Sequence, residues 1–576
     1  MSRRSFLSSP LLLPPLLLLA SIASAQDSTV LDPAALFAGP DEQCQVSIPD
    51  FSYAGYGYGA HEPGPARGEV IDVTRYGAIA DDGRDDSKAL LAALQAAAKV
   101  DGPVIVQLPP GRLIVSEVLR IERSNIVLRG QGSGAGGSEL YFPRPLRMVD
   151  RSHELDELRH YLVKNDKHQV EPQNNVNALF SEYSWAGGFI WVGPAQSRPS
   201  AYLPENDVPA AKTQLADIGS GRQGQRQLEL SGRGKLRVGD VVQIRWFNRE
   251  GRNGPLLDEL YGPQRQSLNV GAHHWQFPER PLIYQTTQIT ALDGNHVSIA
   301  DPLLHDIDSR LRADVASWEH LSEVGIEDIA LVFPEGGSFG HHQEEGYNGI
   351  FFTGVFNGWI RNLRVKDGDS GVLTGNSANL TLSDIVIEGQ RPAHYAVHIG
   401  NVHNVLVRDL SVFNRVIHTF SINTQATRNV FLRATAWQEP VIDQHAGANH
   451  QNLFDNLTVH VRAKTDKQGQ PWYPIWNGSG AGYWEPGHGR YNTTWNLRVM
   501  VEGGAAAGET VRLAGEDEGP DARLVGISGN REFTVDYRPA AYVAGLNQRP
   551  WRVASLYEYQ LAQRKAGGPV PVCLKH

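Results

Sequence analysis

Cysteine and methionine are scarce in this chain of 576 residues, with 2 and 3 copies, and basic residues are not in excess. So few cysteines exclude a disulfide-dense scaffold. No Cys or His spacing makes a zinc site. The formal net charge of −10 disfavours general binding to nucleic acid or to an anionic membrane. Beyond residue 25 no run is apolar enough for a membrane span.

Glycine and proline are plentiful, at 59 and 34 copies, so turns are frequent. With 41% apolar and 20% charged residues the chain can still bury a large core, which argues against wholesale disorder. Length alone suggests three or more domains, yet repeat architectures lengthen without adding separate cores.

Ser2-Arg3-Arg4-Ser5-Phe6-Leu7, the apolar run Leu11 to Ile22 and Ala23-Ser24-Ala25 read as an export signal cut after Ala25. The paired arginines resemble the twin-arginine signal of proteins exported already folded. A periplasmic or secreted location is therefore expected, and losing Arg3 and Arg4 takes the net charge to −12. Cys44 and Cys573 lie near the two ends of the mature chain. Outside the cytoplasm they either close a disulfide or remain two separate thiols.

After an irregular arm at 26–68, Val70-Ile71-Asp72-Val73 is strand-like and Asp81 to Asp86 forms an acidic loop. Ser87 to Val100 has helical periodicity, with Asp86 as N-cap and Gly102 as stop. A strand at Val104 to Leu108 and the turn Pro109-Pro110-Gly111 follow, then Ser124-Asn125-Ile126-Val127-Leu128-Arg129-Gly130. This succession over residues 69 to 142 resembles the opening of pectate-lyase-superfamily proteins. The resemblance implies an all-β fold, a right-handed parallel β-helix with this helix as its N-terminal cap, in a carbohydrate-active protein.

A β-helix demands a repeat, and one is present. Asp328, Asn362, Asp384, Asp409, Asn456 and Asn496 each precede an apolar-x-apolar segment. Asp384 is 22 residues after Asn362 and Asp409 a further 25, whereas the strands of a sandwich recur about every 8–12 residues. The repeat divides the chain into a β-helix start at 69–194, a β-rich insertion at 195–318, main coils at 319–510 and a C-terminal cap at 511–576. A helix beginning at Ser555 is expected to cover the last coil and block edge pairing.

Nine of the 20 histidines fall between 341 and 460. On the coils Asp369, His394 and His418 occupy one column, with Asp443 and His445 on the next turn. Coils stack about 4.8 Å apart, so these side chains would form one polar patch. His398 and the arginines Arg391 and Arg415 lie in the same coils and are the basic groups an acidic substrate requires. An aromatic loop carrying Trp472, Trp476 and Trp484 offers faces for sugar stacking. Asp367 and Asp369, with Glu344 or Glu345, are the candidate ligands for a calcium ion.

The leading expectation is a polysaccharide lyase, a monomer, cleaving an acidic glycan by β-elimination. Arg415 or a metal ion would neutralise the uronate carboxylate. His394 or His418 would take the α-proton, and Tyr395 or His445 would protonate the leaving oxygen. Asp443 would orient an imidazole. A glycoside hydrolase using Asp367, Asp369 or Asp443 is the second reading. Epimerisation is third, and a non-enzymatic glycan-binding β-helix is the reading from another class.

Overall fold

The computed structural model describes residues 36–38, 42–64, 67–165, 180–195, 213–232, 234–262, 265–266, 268–271, 278–337, 340–445, 447–478, 485–516, 519–539, 541–548 and 553–575. The expected export signal lies outside them. The recurrent Asn or Asp is a corner: Asp328, Asn362, Asp384, Asp409, Asn456 and Asn496 have φ between 52° and 58°. Short polar side chains tolerate this left-handed conformation, which bulky residues resist. Other residues hold the corner elsewhere, as Arg433 does at φ 52°, with its guanidinium Nε 2.8 Å from the Asp409 carboxylate, and Gly526 at φ 74°.

Because every coil turns at the same place, the strands stack parallel and in register. In the long sheet Ile326, Ile360, Leu382, Val407, Phe431, Phe454, Thr494 and Leu524 pair in succession. In the second sheet Ile350, Val372, Val397, Phe420, Ile442 and Trp476 do the same. A short third sheet joins Leu321–Ser322, Val355–Phe356, Ser377–Ala378 and Val402–His403. The molecule is a parallel β-helix, and the buried leucines after the corners, Leu363, Leu410, Leu457 and Leu497, belong to one continuous core. An asparagine ladder holds a turn: the Asn429, Asn452 and Asn492 side-chain oxygens accept from Val405 N, Asn429 N and Asn452 N at 2.8–3.0 Å.

Helix Ser87–Ala97 buries Ala89, Leu90, Ala93, Leu94 and Ala97 against the first coils, a spacing that keeps one apolar stripe inward. Helix Leu556–Lys565 does start at Ser555, whose hydroxyl accepts from Glu558 N at 3.0 Å. It lies along the outer face of the long sheet rather than across its end. Leu556 and Tyr557 pack with Leu406, Leu432, Leu453 and Trp495, and Asp455 accepts from Ser555 Oγ at 2.6 Å. The helix placement expected from sequence is corrected by these apolar outward residues, which need a cover that the repeat itself does not supply.

The insertion is a closed six-stranded antiparallel barrel, including Gln214–Gly221 and Ala313–Ser317, which the sequence reading did not single out as strands. It has its own core around Ile244, Trp246, Leu257 and Tyr261. It meets the coils through buried polar contacts. His403 Nε2 is 2.9 Å from Asp301, His305 Nε2 is 2.7 Å from His450 Nε2, and Arg428 donates to Leu303 O at 3.1 Å.

The chain ends meet. Val46–Ser47 pairs antiparallel with Cys573–Leu574, and Cys44 is joined to Cys573 across 529 residues of sequence. Closing so long a loop restricts the unfolded chain, and native disulfides of this kind contribute about 2–5 kcal/mol. Cys573→Ser is expected to lower the unfolding free energy by that amount, read as a lower chemical denaturation midpoint by tryptophan fluorescence. An unchanged midpoint would show that the strand pair alone secures the ends.

Candidate functional site

Three elements bring imidazoles together. Strand Ala393–Ile399 carries His394, strand Val416–Ile422 carries His418 one coil later, and the link before strand Asn348–Thr353 carries His341 and His342. The next coil adds Asp443 and His445. Cα pairing sets His418 opposite Tyr395, one residue away from the expected partner His394. The rings of His394 and His418 nevertheless stand 5.1 Å apart between centroids.

His341 Nε2 is 3.3 Å from His394 Nε2 and 3.3 Å from His418 Nε2. Behind the rings stand carboxylates, close to the Nδ1 atoms though off their N–H axes. Glu344 Oε1 is 3.1 Å from His394 Nδ1, and Asp443 Oδ2 is 3.2 Å from His418 Nδ1. Asp443 Oδ1 also lies 3.4 Å from His445 Nδ1, and its Oδ2 accepts from Ser421 Oγ at 2.6 Å. Glu344 in turn accepts from Ser184 Oγ at 2.6 Å. His341 is exposed, His342 and His445 are half-buried, and His394, His418, Glu344 and Asp443 are buried.

Burial and the neighbouring imidazoles push His394 well below the ordinary histidine value. It is therefore neutral at pH 7, with a lone pair available as base or ligand. Burial alone would raise the Asp443 carboxyl, but the imidazoles of His418 and His445 outweigh it and hold it well below the usual carboxylate range. Phe180 and Trp185 flank His342, with centroids at 4.6 and 4.8 Å, and form an aromatic wall.

Other expected site residues serve this cluster from behind. Tyr395 is fully buried, stacked on His394 at 4.3 Å, with its hydroxyl accepting from Asn423 Nδ2 at 3.4 Å. His398 is buried, edge-on to Tyr395, with Nδ1 3.2 Å from Thr374 O, and burial pushes it down to about 3. Asp369 accepts from Gly346 N at 3.1 Å and Tyr347 N at 2.8 Å. Arg391 donates to Pro334 O at 2.9 Å and reaches Asp369 at 3.4 Å. Together they fasten both ends of the link that carries His341 and His342.

Asp367 Oδ1 accepts from Gln390 N at 2.7 Å and Arg391 N at 3.2 Å. Only its buried Oδ2 has no hydrogen-bond partner, whereas calcium takes about 6–8 oxygens. Asp367 and Asp369 therefore do not fit a calcium ion.

Arg415 stands at the surface, with Nε 2.8 Å from Glu439. Trp476 is wholly buried and edge-on to Tyr537, which makes it core rather than a sugar platform. Trp472 is half-buried, with the Arg512 guanidinium 5.4 Å from its ring centroid. Trp484 lies outside the described residues.

Sequence reasoning gave no role to His341, His342, Phe180 or Trp185, and placed Glu344 only as a calcium ligand. The His341-His342 pair was a usable signal, since it sits in a link long enough to fold back over the sheet.

No family model and no curated protein matches this chain. Among solved structures it is similar to a tailspike protein from Pseudomonas phage LKA1, at 12% identity over 83% of this chain and 81% of that one, with TM-score 0.38. It is similar also to the A-module of a mannuronan C-5 epimerase from Azotobacter vinelandii, at 12% identity, 83% and 99% coverage and TM-score 0.34. A third likeness is to an exopolygalacturonase from Thermotoga maritima, at 9% identity, 84% and 94% coverage and TM-score 0.34.

Proposed function

We propose that this protein is an exported enzyme that cleaves a uronic-acid-containing polysaccharide by β-elimination. One observation carries the reading: several imidazoles converge over the second sheet, backed by buried carboxylates and flanked by an aromatic wall. Acid–base work on a carbon acid needs neutral imidazoles held in fixed tautomers, and a carboxylate behind the ring supplies that.

His445 is the half-buried member whose Nδ1 faces Asp443. In this reading its Nε2 removes the α-proton as the C5–H bond breaks, the C4–C5 double bond forms and the C4–O bond leaves. The same proton then passes to the departing oxygen, and Asp443 stabilises the transient imidazolium. Phe180 and Trp185 bound the approach beside His342.

Hydrolysis is less well supported. It needs two carboxylates facing the bond at about 5–9.5 Å, and Asp367, Asp369 and Asp443 are all buried.

On a panel of uronates the wild type is expected to generate the absorbance of an unsaturated uronate. His445→Ala should reduce its rate by about 10²–10⁴ while binding persists. Reducing ends released without that absorbance would point to hydrolysis. Glycan binding with no turnover at all would make the protein a lectin-like β-helix.

A further inference from the structure

The elimination needs a positive group to neutralise the uronate carboxylate, and the arginines near the site are otherwise engaged. Arg391 is tied to Asp369 and Pro334, and Arg415 to Glu439. A metal is suggested independently by the approach of the His394 and His418 Nε2 atoms to His341 Nε2.

We infer that His341, His394 and His418 form a site for one divalent first-row transition ion of the zinc type, with a fourth position open to water or a substrate carboxylate. A tetrahedral ion with metal–nitrogen bonds of about 2.0–2.1 Å places neighbouring ligand nitrogens about 3.3 Å apart. The two Nε2 separations from His341 are both 3.3 Å. In the same geometry imidazole centroids lie about 5.2 Å from one another. The three pairs here stand at 4.8, 5.4 and 5.1 Å.

Without a cation this meeting is hard to satisfy. The carboxylates 3.1 and 3.2 Å from the Nδ1 atoms of His394 and His418 lie off the N–H axes but favour a proton there by their charge, and that tautomer leaves bare lone pairs on both Nε2 atoms facing His341. A single N–H on His341 can serve only one of them. An ion between them serves all three, and Glu344 and Asp443 then act as the outer carboxylates that orient metal-bound imidazoles. Their two negative charges balance a divalent ion held by neutral rings. Nitrogen donors select zinc, cobalt or a similar ion over calcium or magnesium, which prefer oxygen. Two ligands sit on adjacent paired strands of the second sheet, and the third, His341, is exposed, which leaves an entry path.

That the ion neutralises a uronate rests on the elimination reading; that it binds does not. Full-length protein is stripped with a chelator and titrated with Zn²⁺, Co²⁺ and Ca²⁺ by calorimetry. The expected result is one Zn²⁺ or Co²⁺ per chain, with the strong visible absorption of tetrahedral cobalt, and no Ca²⁺ binding at the same concentrations. His341→Ala changes an exposed residue and should keep the fold, checked by circular dichroism, while weakening Zn²⁺ at least about 100-fold. His394→Ala should do the same. Less than one equivalent of Zn²⁺ on the wild type, or unchanged affinity in His341→Ala, would overturn the site. Stoichiometric metal with no unsaturated uronate would leave the site standing and sink the elimination. Full elimination by the stripped protein would sink the role given to the ion.

Discussion

Asparagine in place of Asp443 is expected to cut turnover by about 10²–10⁴ while leaving the melting temperature close to that of the wild type. The amide keeps the size of the carboxylate and can still meet Ser421 Oγ, which lies 2.6 Å from Oδ2. It removes the charge that faces His418 Nδ1 at 3.2 Å and His445 Nδ1 at 3.4 Å. An amide NH₂ turned toward either ring favours the tautomer with its proton on Nε2, the wrong nitrogen for a base or a ligand. Asp443 is a positioning residue, so activity alone is not a sufficient test. Zn²⁺ affinity should fall about 10–100-fold in the same variant, and the pH–rate profile should shift. A variant that keeps a third or more of wild-type turnover would remove Asp443 from the mechanism.

Acid should destabilise this protein before the ordinary carboxylates titrate. His398 and His488 are fully buried, and burial pushes them down to about 3 and about 4. Between those values and about 6.5 the unfolded chain takes up protons that the folded chain refuses, so stability falls as pH falls. At pH 5 the two together cost about 4 kcal/mol relative to pH 7. Asp455 and Asp369 act in the opposite direction, raised by burial to about 7 and about 6, and regain about 4 kcal/mol over the same interval.

The sign is set by the remaining imidazoles. Burial drives His394, His450 and His342 well below the ordinary value and lowers His403. Glu154, Asp86 and Glu323, raised by burial, offset part of this. The melting temperature is therefore expected to drop on going from pH 7 to pH 5, and further if protons displace a bound metal. Calorimetric scans at the two pH values, each with and without Zn²⁺, provide the check. Equal or higher stability at pH 5 would mean that buried histidines take up protons in the folded state.

The coils were legible because each corner writes itself locally, in one residue able to hold a positive φ followed by apolar alternation. Asn362, Asp384 and Asn456 announce their strands without any knowledge of their neighbours. The site was only half legible for the opposite reason. Its residues come from 341, 394, 418, 443 and 445, and the stacking of coils, not short-range spacing, brings them together. A search for metal-ligand spacing along the chain therefore finds nothing, though the coil period puts His394 and His418 within reach of each other.

The remaining misreadings concern which face a residue takes. Trp476 looked like a sugar platform among aromatics, but its strand Pro471–Asn477 sets it inward beneath Tyr537. Tyr395 looked catalytic beside His394, yet it packs beneath both rings. Asp367, Asp369 and Arg391 were chemistry by composition and fasteners by geometry.

A stack of coils ordinarily has two loose ends, and each turn feels only the turns beside it. Here the first and last segments run together up the side, with Phe37, Ile48, Phe51, Leu556 and Leu574 seated against Leu406, Leu432, Leu453, Trp495 and Val525. The polypeptide is thereby a covalent circle laid over its own solenoid, and turns several rungs apart share one cover. Fraying from a terminus loses its starting point. Melting is expected to become a single event for the whole stack, and a nick in a surface turn between Cys44 and Cys573 leaves both pieces tied together.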